Sequence, residues 1–236
     1  MPKLVLFDID GTLIDTGGAG TISLNKAFHE LFSIGDAFSG ISMAGKTDVQ
    51  IMREGLTVHR LPVNEDMLLS IASSYIKNLR VEINNRRRHV KPGIIEVLRR
   101  LREINGCWLG LLTGNIEEGA EIKLGAFDLY KYFPIGAFGS DDEDRNRLLP
   151  IAVKKFQWLT DLNLSYGDCI VVGDTPRDVE CTKPYGAVSI VISTGPYSYE
   201  SLLETGADFV FNDLSRPEEF LCKLQSIIHI SSDQLE

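Results

Sequence analysis

Four short apolar runs along the chain each stop abruptly at polar residues. Leu4–Phe7 ends at Asp8, and Trp108–Leu112 ends at Thr113. Ile170–Val172 ends at Gly173-Asp174, and Val188–Ile192 ends at Ser193-Thr194-Gly195. A fifth run, Phe209–Phe211, follows near the end. Continuous apolar runs of this length suit strands covered on both faces, as in a parallel sheet. Segments with helical spacing lie between them. Ile94, Ile95, Val97, Leu98, Leu101 and Ile104 form one stripe, entered by Pro92-Gly93 and closed by Gly106. Leu148 to Leu159 and Glu218 to Ile228 show the same spacing. Strand and helix signals in alternation predict an α/β protein built on a doubly wound parallel sheet.

Residues 17–88 break the alternation. Ile22, Leu24, Ala27, Phe28, Leu31 and Phe32 fit a helix, as do Met67, Leu68, Ile71, Tyr75 and Leu79, with no strand pattern between them. The expectation is an all-helical insert over 17–88, with residues 1–16 and 89–236 as the α/β core. Gly17-Gly18-Ala19-Gly20 and Asn84-Asn85-Arg86-Arg87-Arg88 stand at its two ends as hinges.

Composition narrows the function. Lys and Arg number 24 against 33 Asp and Glu, a formal charge of −9. Such a chain repels polyanions, which argues against nucleic acid and anionic membranes as partners. A small anionic metabolite remains possible where positive charge is gathered locally. Cys107, Cys169, Cys181 and Cys222 are widely spaced, without a CxxC pair, and read as reduced thiols. No signal-like stretch precedes the first strand and no run is long enough to span a bilayer. The expectation is a soluble, cytoplasmic protein, monomeric or a small homo-oligomer.

In an open α/β sheet, ligands bind at the C-terminal edge of the strands, where these apolar runs break off. Asp8 and Asp10, two apart on an extended chain, point the same way and repel unless a cation or proton lies between them. Mg²⁺ takes such oxygen ligands together with substrate phosphate. One carboxylate is then available as nucleophile and the other as proton donor and acceptor. Thr113-Gly114-Asn115 offers a hydroxyl and free N–H groups to an oxyanion, although it is also a common turn sequence. Asp174-Thr175-Pro176 suits a helix entry, with Pro at its start, and Asp178 follows one turn later.

The string Phe7-Asp8-Ile9-Asp10-Gly11-Thr12-Leu13-Ile14-Asp15-Thr16 resembles motif one, DxDGTLxD[ST], of the haloacid dehalogenase (HAD) superfamily of phosphohydrolases. Thr113-Gly114-Asn115 resembles motif two, and Gly173-Asp174-Thr175-Pro176-Arg177-Asp178 resembles motif four, GDxxxD, so the resemblance covers nearly the whole chain. It implies a HAD-like Rossmannoid core and a Mg²⁺-dependent phosphatase acting on a small phosphorylated metabolite. Asp8 would become an aspartyl phosphate, and Asp10 would be the general acid and base. Asp8, the Asp10 carbonyl and Asp174 would hold Mg²⁺. Thr113 would hold the phosphate with the Gly114 N–H, and Asn115 would be their neighbour.

The chain departs from the family between motifs two and four, where a Lys is usual. Asp141-Asp142-Glu143-Asp144-Arg145-Asn146-Arg147 contains none. Arg145 is expected to take that role, with Arg147 as runner-up, because phosphoryl transfer needs fixed positive charge. The insert resembles the helical cap of phosphoglycolate phosphatase-like and β-phosphoglucomutase-like members. Lys46, in Met43-Ala44-Gly45-Lys46-Thr47-Asp48, is a candidate for the substrate's far end, and Thr47 is a candidate helix N-cap. Asp10 and Asp174 argue against a haloalkanoic dehalogenase, and Asp10 against a phosphonate hydrolase. A phosphomutase of the β-phosphoglucomutase type is the alternative enzyme, and a binding or regulatory module on a phosphatase fold is the alternative of another class.

Overall fold

A computed structural model describes residues 2–233; for 228–233 only the helical backbone is described. In chain order the elements are β1 Lys3–Phe7, β2 Ile14–Asp15, α1 Ala19–Phe32, α2 Asp48–Val58, α3 Glu65–Glu82, β3 His89–Val90, α4 Ile94–Leu101 and β4 Cys107–Thr113. There follow α5 Glu117–Gly125, β5 Ile135–Phe138, α6 Leu148–Thr160, β6 Cys169–Gly173, α7 Pro176–Glu180, β7 Val188–Ile192, α8 Tyr199–Leu203, β8 Phe209–Phe211 and α9 Pro217–Asp233.

Six strands form one parallel sheet in the order β5-β4-β1-β6-β7-β8, with β1 central. The expected doubly wound α/β core is therefore present. Both faces of β1 are buried, which its unbroken apolar run requires. Val5 and Phe7 face a cluster containing Ile94, Val97 and Phe220, while Leu4 and Leu6 face one with Leu148, Ala152 and Phe156. The strand order reverses around β1, so the crevice for a ligand opens at the ends of β1, β4 and β6.

The pattern missed β5, whose Gly136 and Ala137 interrupt any apolar signal. It also placed Ile95 in the buried stripe of α4, whereas Ile95 is exposed and the buried positions are Ile94, Val97, Leu98 and Leu101. Thr47 is an N-cap: its hydroxyl accepts from the Gln50 N–H, and the Gln50 side chain accepts from the Thr47 N–H.

Helices α1, α2 and α3 pack around an apolar cluster with Phe28, Met52, Leu56, Ile71, Tyr75 and Leu79, which Ile116 joins from the loop after β4. The chain enters this helical segment after β2 and returns through β3, and these two strands pair antiparallel, Ile14 with Val90 and Asp15 with His89. The four cysteines are free. Among the described residues no helix is long and apolar enough to cross a membrane.

Candidate active site

A cavity of about 400 Å³ lies between the C-terminal edge of the sheet and the helical segment. Its lining brings together Asp8, Asp10, Gly114, Asn115, Lys46, Arg145 and Asp174, seven residues that the sequence scatters over five segments.

Asp8 follows directly on β1, held by its N–H donating to the Val172 carbonyl at 2.9 Å. Next the chain turns tightly: Gly11 N–H donates to Ile14, and Leu13 and Ile14 both donate back to Ile9. Gly11 has φ +88°, and a Cβ there would lie 2.3 Å from Asp174 Oδ2, so both the turn and the approach of Asp174 need glycine. Asp174 follows β6 and is fixed by the Thr12 hydroxyl, which donates to its Oδ1 at 2.9 Å.

Asp8 and Asp174 are both buried. Burial pushes the Asp8 carboxyl up to about 6; Arg145 and the Thr113 hydroxyl oppose this, and Asp178 and Asp10 add to it. Burial, with Asp8 and Asp178 close by, also raises Asp174 well above the usual carboxylate range. Oxygens of Asp8, Asp174 and Asp178 lie within 4.8 Å of one another.

Arg145 is buried opposite these acids. One terminal nitrogen lies 3.4 Å from Asp8 Oδ1 and pairs with Asp178 Oδ1; the other donates to the Gly45 carbonyl at 3.4 Å. Burial disfavours the guanidinium charge, but Asp178 and Asp8 more than offset that and raise its pKa. Arg145 Nε is the one buried side-chain polar atom without a partner among the described residues. Arg147, by contrast, is mostly exposed and pairs with Asp142 and Asp144 on the surface.

Asp178 serves two elements. Its Oδ2 accepts the N–H and the hydroxyl of Thr175, at 3.0 and 2.7 Å, as the N3 partner of a capping box that starts α7. Its other oxygen holds Arg145.

Thr113 ends β4 fully buried, its hydroxyl near enough to Asp8 to favour that carboxylate's charge, and this hydroxyl accepts the Asn115 side-chain amide at 2.9 Å. Asn115 also donates to Asp10 Oδ2 at 2.9 Å. Its amide therefore links Thr113 to Asp10.

The helical segment meets the core at this same loop. Asp48 N–H donates to the Gly114 carbonyl at 2.7 Å, and Asp48 Oδ2 accepts the Ile116 N–H at 3.0 Å. A Cβ on Gly114 would lie 2.1 Å from the Lys46 carbonyl oxygen, so the approach needs glycine. Lys46 lines the cavity and pairs with Glu54.

Sequence reasoning missed Lys123. It projects from α5 into the cavity wall and is buried. Its ammonium lies 2.6 Å from Asp10 Oδ2 and also donates to Asn115 Oδ1. Burial opposes its charge, but Asp10, Tyr75 and Asp48 more than offset this and raise its pKa. The buried face of α5 is Gly119, Ala120, Lys123 and Leu124, too short of large apolar groups to show a helical stripe. The only sequence signal available was a lysine on that small-residue face.

The haloacid dehalogenase-like hydrolase family model matches residues 2–183, and a related HAD hydrolase-like model matches 151–217. A phosphoglycolate phosphatase of Rhodospirillum rubrum is 27% identical over 232 residues, covering 94% of this chain and 91% of the relative. One from Vibrio vulnificus is 24% identical over 225 residues, covering 91% and 93%. Among solved structures, CbbY from Rhodobacter sphaeroides matches with a TM-score of 0.71 at 15% identity, covering 92% of this chain and 96% of that one, and so shares the fold. With a family model spanning most of its length, the chain belongs to the haloacid dehalogenase-like hydrolases.

Proposed function

We propose that the protein is a Mg²⁺-dependent phosphatase that hydrolyses a small phosphorylated metabolite through an aspartyl phosphate on Asp8. The observation that carries this reading is Asp8 in the cavity wall, 3.4 Å from the buried Arg145 guanidinium and with the Thr113 hydroxyl near it. A carboxylate so placed is a fixed nucleophile, and two cation or hydroxyl donors stand beside the phosphoryl group it would receive.

The acids fit the metal. Their donor set is all oxygen, as Mg²⁺ requires, and the raised pKa values of Asp8 and Asp174, due first to burial and then to their acidic neighbours, show charge that a divalent cation would offset. Asp8, Asp174 and the Asp10 main-chain carbonyl would hold it. The Asp178 oxygens already serve Arg145 and Thr175, which gives that residue a supporting part. When bound, Mg²⁺ would offset the charge of the acids and of the phosphoryl oxygens.

In the first step an Asp8 oxygen bonds to phosphorus, the bond to the leaving-group oxygen breaks, and Asp10 gives that oxygen its proton. In the second, water loses a proton to Asp10 and attacks the phosphorus. Inorganic phosphate leaves and Asp8 is restored. Arg145, with its unpartnered Nε, and Thr113 would bind the phosphoryl oxygens, helped by the Gly114 N–H and with Asn115 beside them.

Residues 17–88 would act as a cap over the core of residues 1–16 and 89–236. Its contacts through Asp48 and Lys46 fall on the Gly114–Ile116 loop, so docking would close the cavity and exclude water during transfer. Lys46 would meet the far end of the substrate by exchanging its Glu54 partner. The hydrolase family and the phosphoglycolate phosphatases among the relatives support a phosphatase over a phosphomutase. A panel of metabolite phosphates assayed for phosphate release with Mg²⁺, and again with EDTA, tests the reading. Turnover lost with EDTA is expected; no turnover of any ester in the panel would reject it.

A further inference from the structure

Lys123 is a buried ion at the active cavity with no place in the chemistry above. Burying an ammonium is costly unless opposite charge and acceptors surround it. Two of its partners come from the core: Asp10 Oδ2 at 2.6 Å, and Asn115 Oδ1. Two more groups, from the helical segment, line the same cavity and act on its charge: the Tyr75 hydroxyl on α3 and the Asp48 carboxylate at the start of α2.

The consequence falls on Asp10. Its side chain is 41% exposed and would otherwise turn freely, yet Oδ2 receives both Lys123 and the Asn115 amide at 2.9 Å. Oδ1 receives no hydrogen bond among the described residues. We propose that Lys123 is a positioning residue that fixes Asp10 with Oδ2 in this network and Oδ1 presented to the cavity as the proton-carrying oxygen. The hold is complete only when the helical segment is docked, because Tyr75 and Asp48 arrive with it.

This rests on the reading of Asp10 as the proton donor. The Oδ1–H bond breaks, the leaving-group O–H forms, and the electron pair stays on Asp10 as a carboxylate beside the ammonium. A misplaced donor therefore harms a leaving group that needs its proton and spares one that does not.

The test is kcat/KM, which reports the step that expels the leaving group, on phenyl phosphate and on p-nitrophenyl phosphate with Mg²⁺. In Lys123→Met the loss should be on the order of ten-fold greater for phenyl phosphate, since general acid catalysis contributes ~10²–10⁴ in all. Tyr75→Phe deletes one hydroxyl and should show the same preference more weakly. If Lys123→Met does not fold, as judged by near-UV circular dichroism, Tyr75→Phe decides alone. Equal losses on the two esters, or no loss on either, would overturn the assignment. A wild-type protein that cleaves neither ester would overturn the phosphatase reading, and the role of Lys123 with it.

Discussion

Arg145 stands 3.4 Å from Asp8 with the same terminal nitrogen paired to Asp178, which holds it there. The pairing links the third and fourth polar segments of the chain to the first, and it separates two arginines that lie only two positions apart. Arg145 is buried among carboxylates, whereas Arg147 lies at the surface.

Removing the buried guanidinium should cost rate. Arg145→Ala is expected to lower kcat by about 10²–10³, the usual cost of one preorganised charge donor. Arg147→Ala should stay within about two-fold, because exposed ion pairs contribute little. Steady-state turnover of one phosphate ester by both variants checks this. The opposite ranking would place the active cation at Arg147.

Metal-free protein should lose stability as pH rises through about 6. The folded-state pKa of Asp8 is raised from 3.8 to about 6, and that of Asp174 is raised as well. Below pH 4 both are protonated in folded and unfolded chains alike. Between these limits the folded state binds more protons, so stability falls as pH rises. Mg²⁺ should therefore raise the melting temperature more at pH 8 than at pH 5. Melting curves with EDTA and with Mg²⁺ measure the difference, and an equal Mg²⁺ effect at both values would contradict it.

Asp48 carries the same sign of linkage away from the proposed metal. Burial lifts its carboxyl to about 6, against the pull of Lys123. Asparagine would keep an acceptor for the Ile116 N–H without the charge. Asp48→Asn should match wild type near pH 4 and be more stable at pH 8, by on the order of 1–3 kcal/mol at ~1.4 kcal/mol per pKa unit. Urea unfolding at the two pH values gives the comparison.

Gly114→Ala tests whether docking of the helices matters for turnover. The new methyl group would meet the Lys46 carbonyl and push the two parts of the molecule apart. The expected result is a loss of kcat/KM of about ten-fold or more, as a small misplacement can cause. Near-wild-type activity would mean the contact is incidental. Lys46→Ala should instead raise KM and leave kcat nearly unchanged, the sign of a group that binds ground and transition states equally.

The strands that carry the cavity were legible because burial on both faces leaves unbroken apolar runs that must end where the polar edge begins. Asp8, Thr113 and Asp174 stand at such ends. Thr47 was legible as an N-cap from its own local chemistry. What stayed hidden depends on contacts far apart in the chain. Lys123 gains its meaning from residues 10, 48, 75 and 115, and the small residues beside it on α5 leave no stripe to read. The edge strand β5 was hidden for a similar reason, since Gly136 and Ala137 weaken its pattern while pairing with β4 still secures it.

The most direct test of the central claim is the turnover of Asp8→Asn beside wild type on the same phosphate ester with Mg²⁺. Asparagine keeps the size of the side chain and removes the attacking oxygen anion. The covalent route through Asp8 predicts a folded protein with turnover reduced by about 10⁴ or more, the scale of losing a nucleophile. Substantial residual turnover by that variant would contradict it.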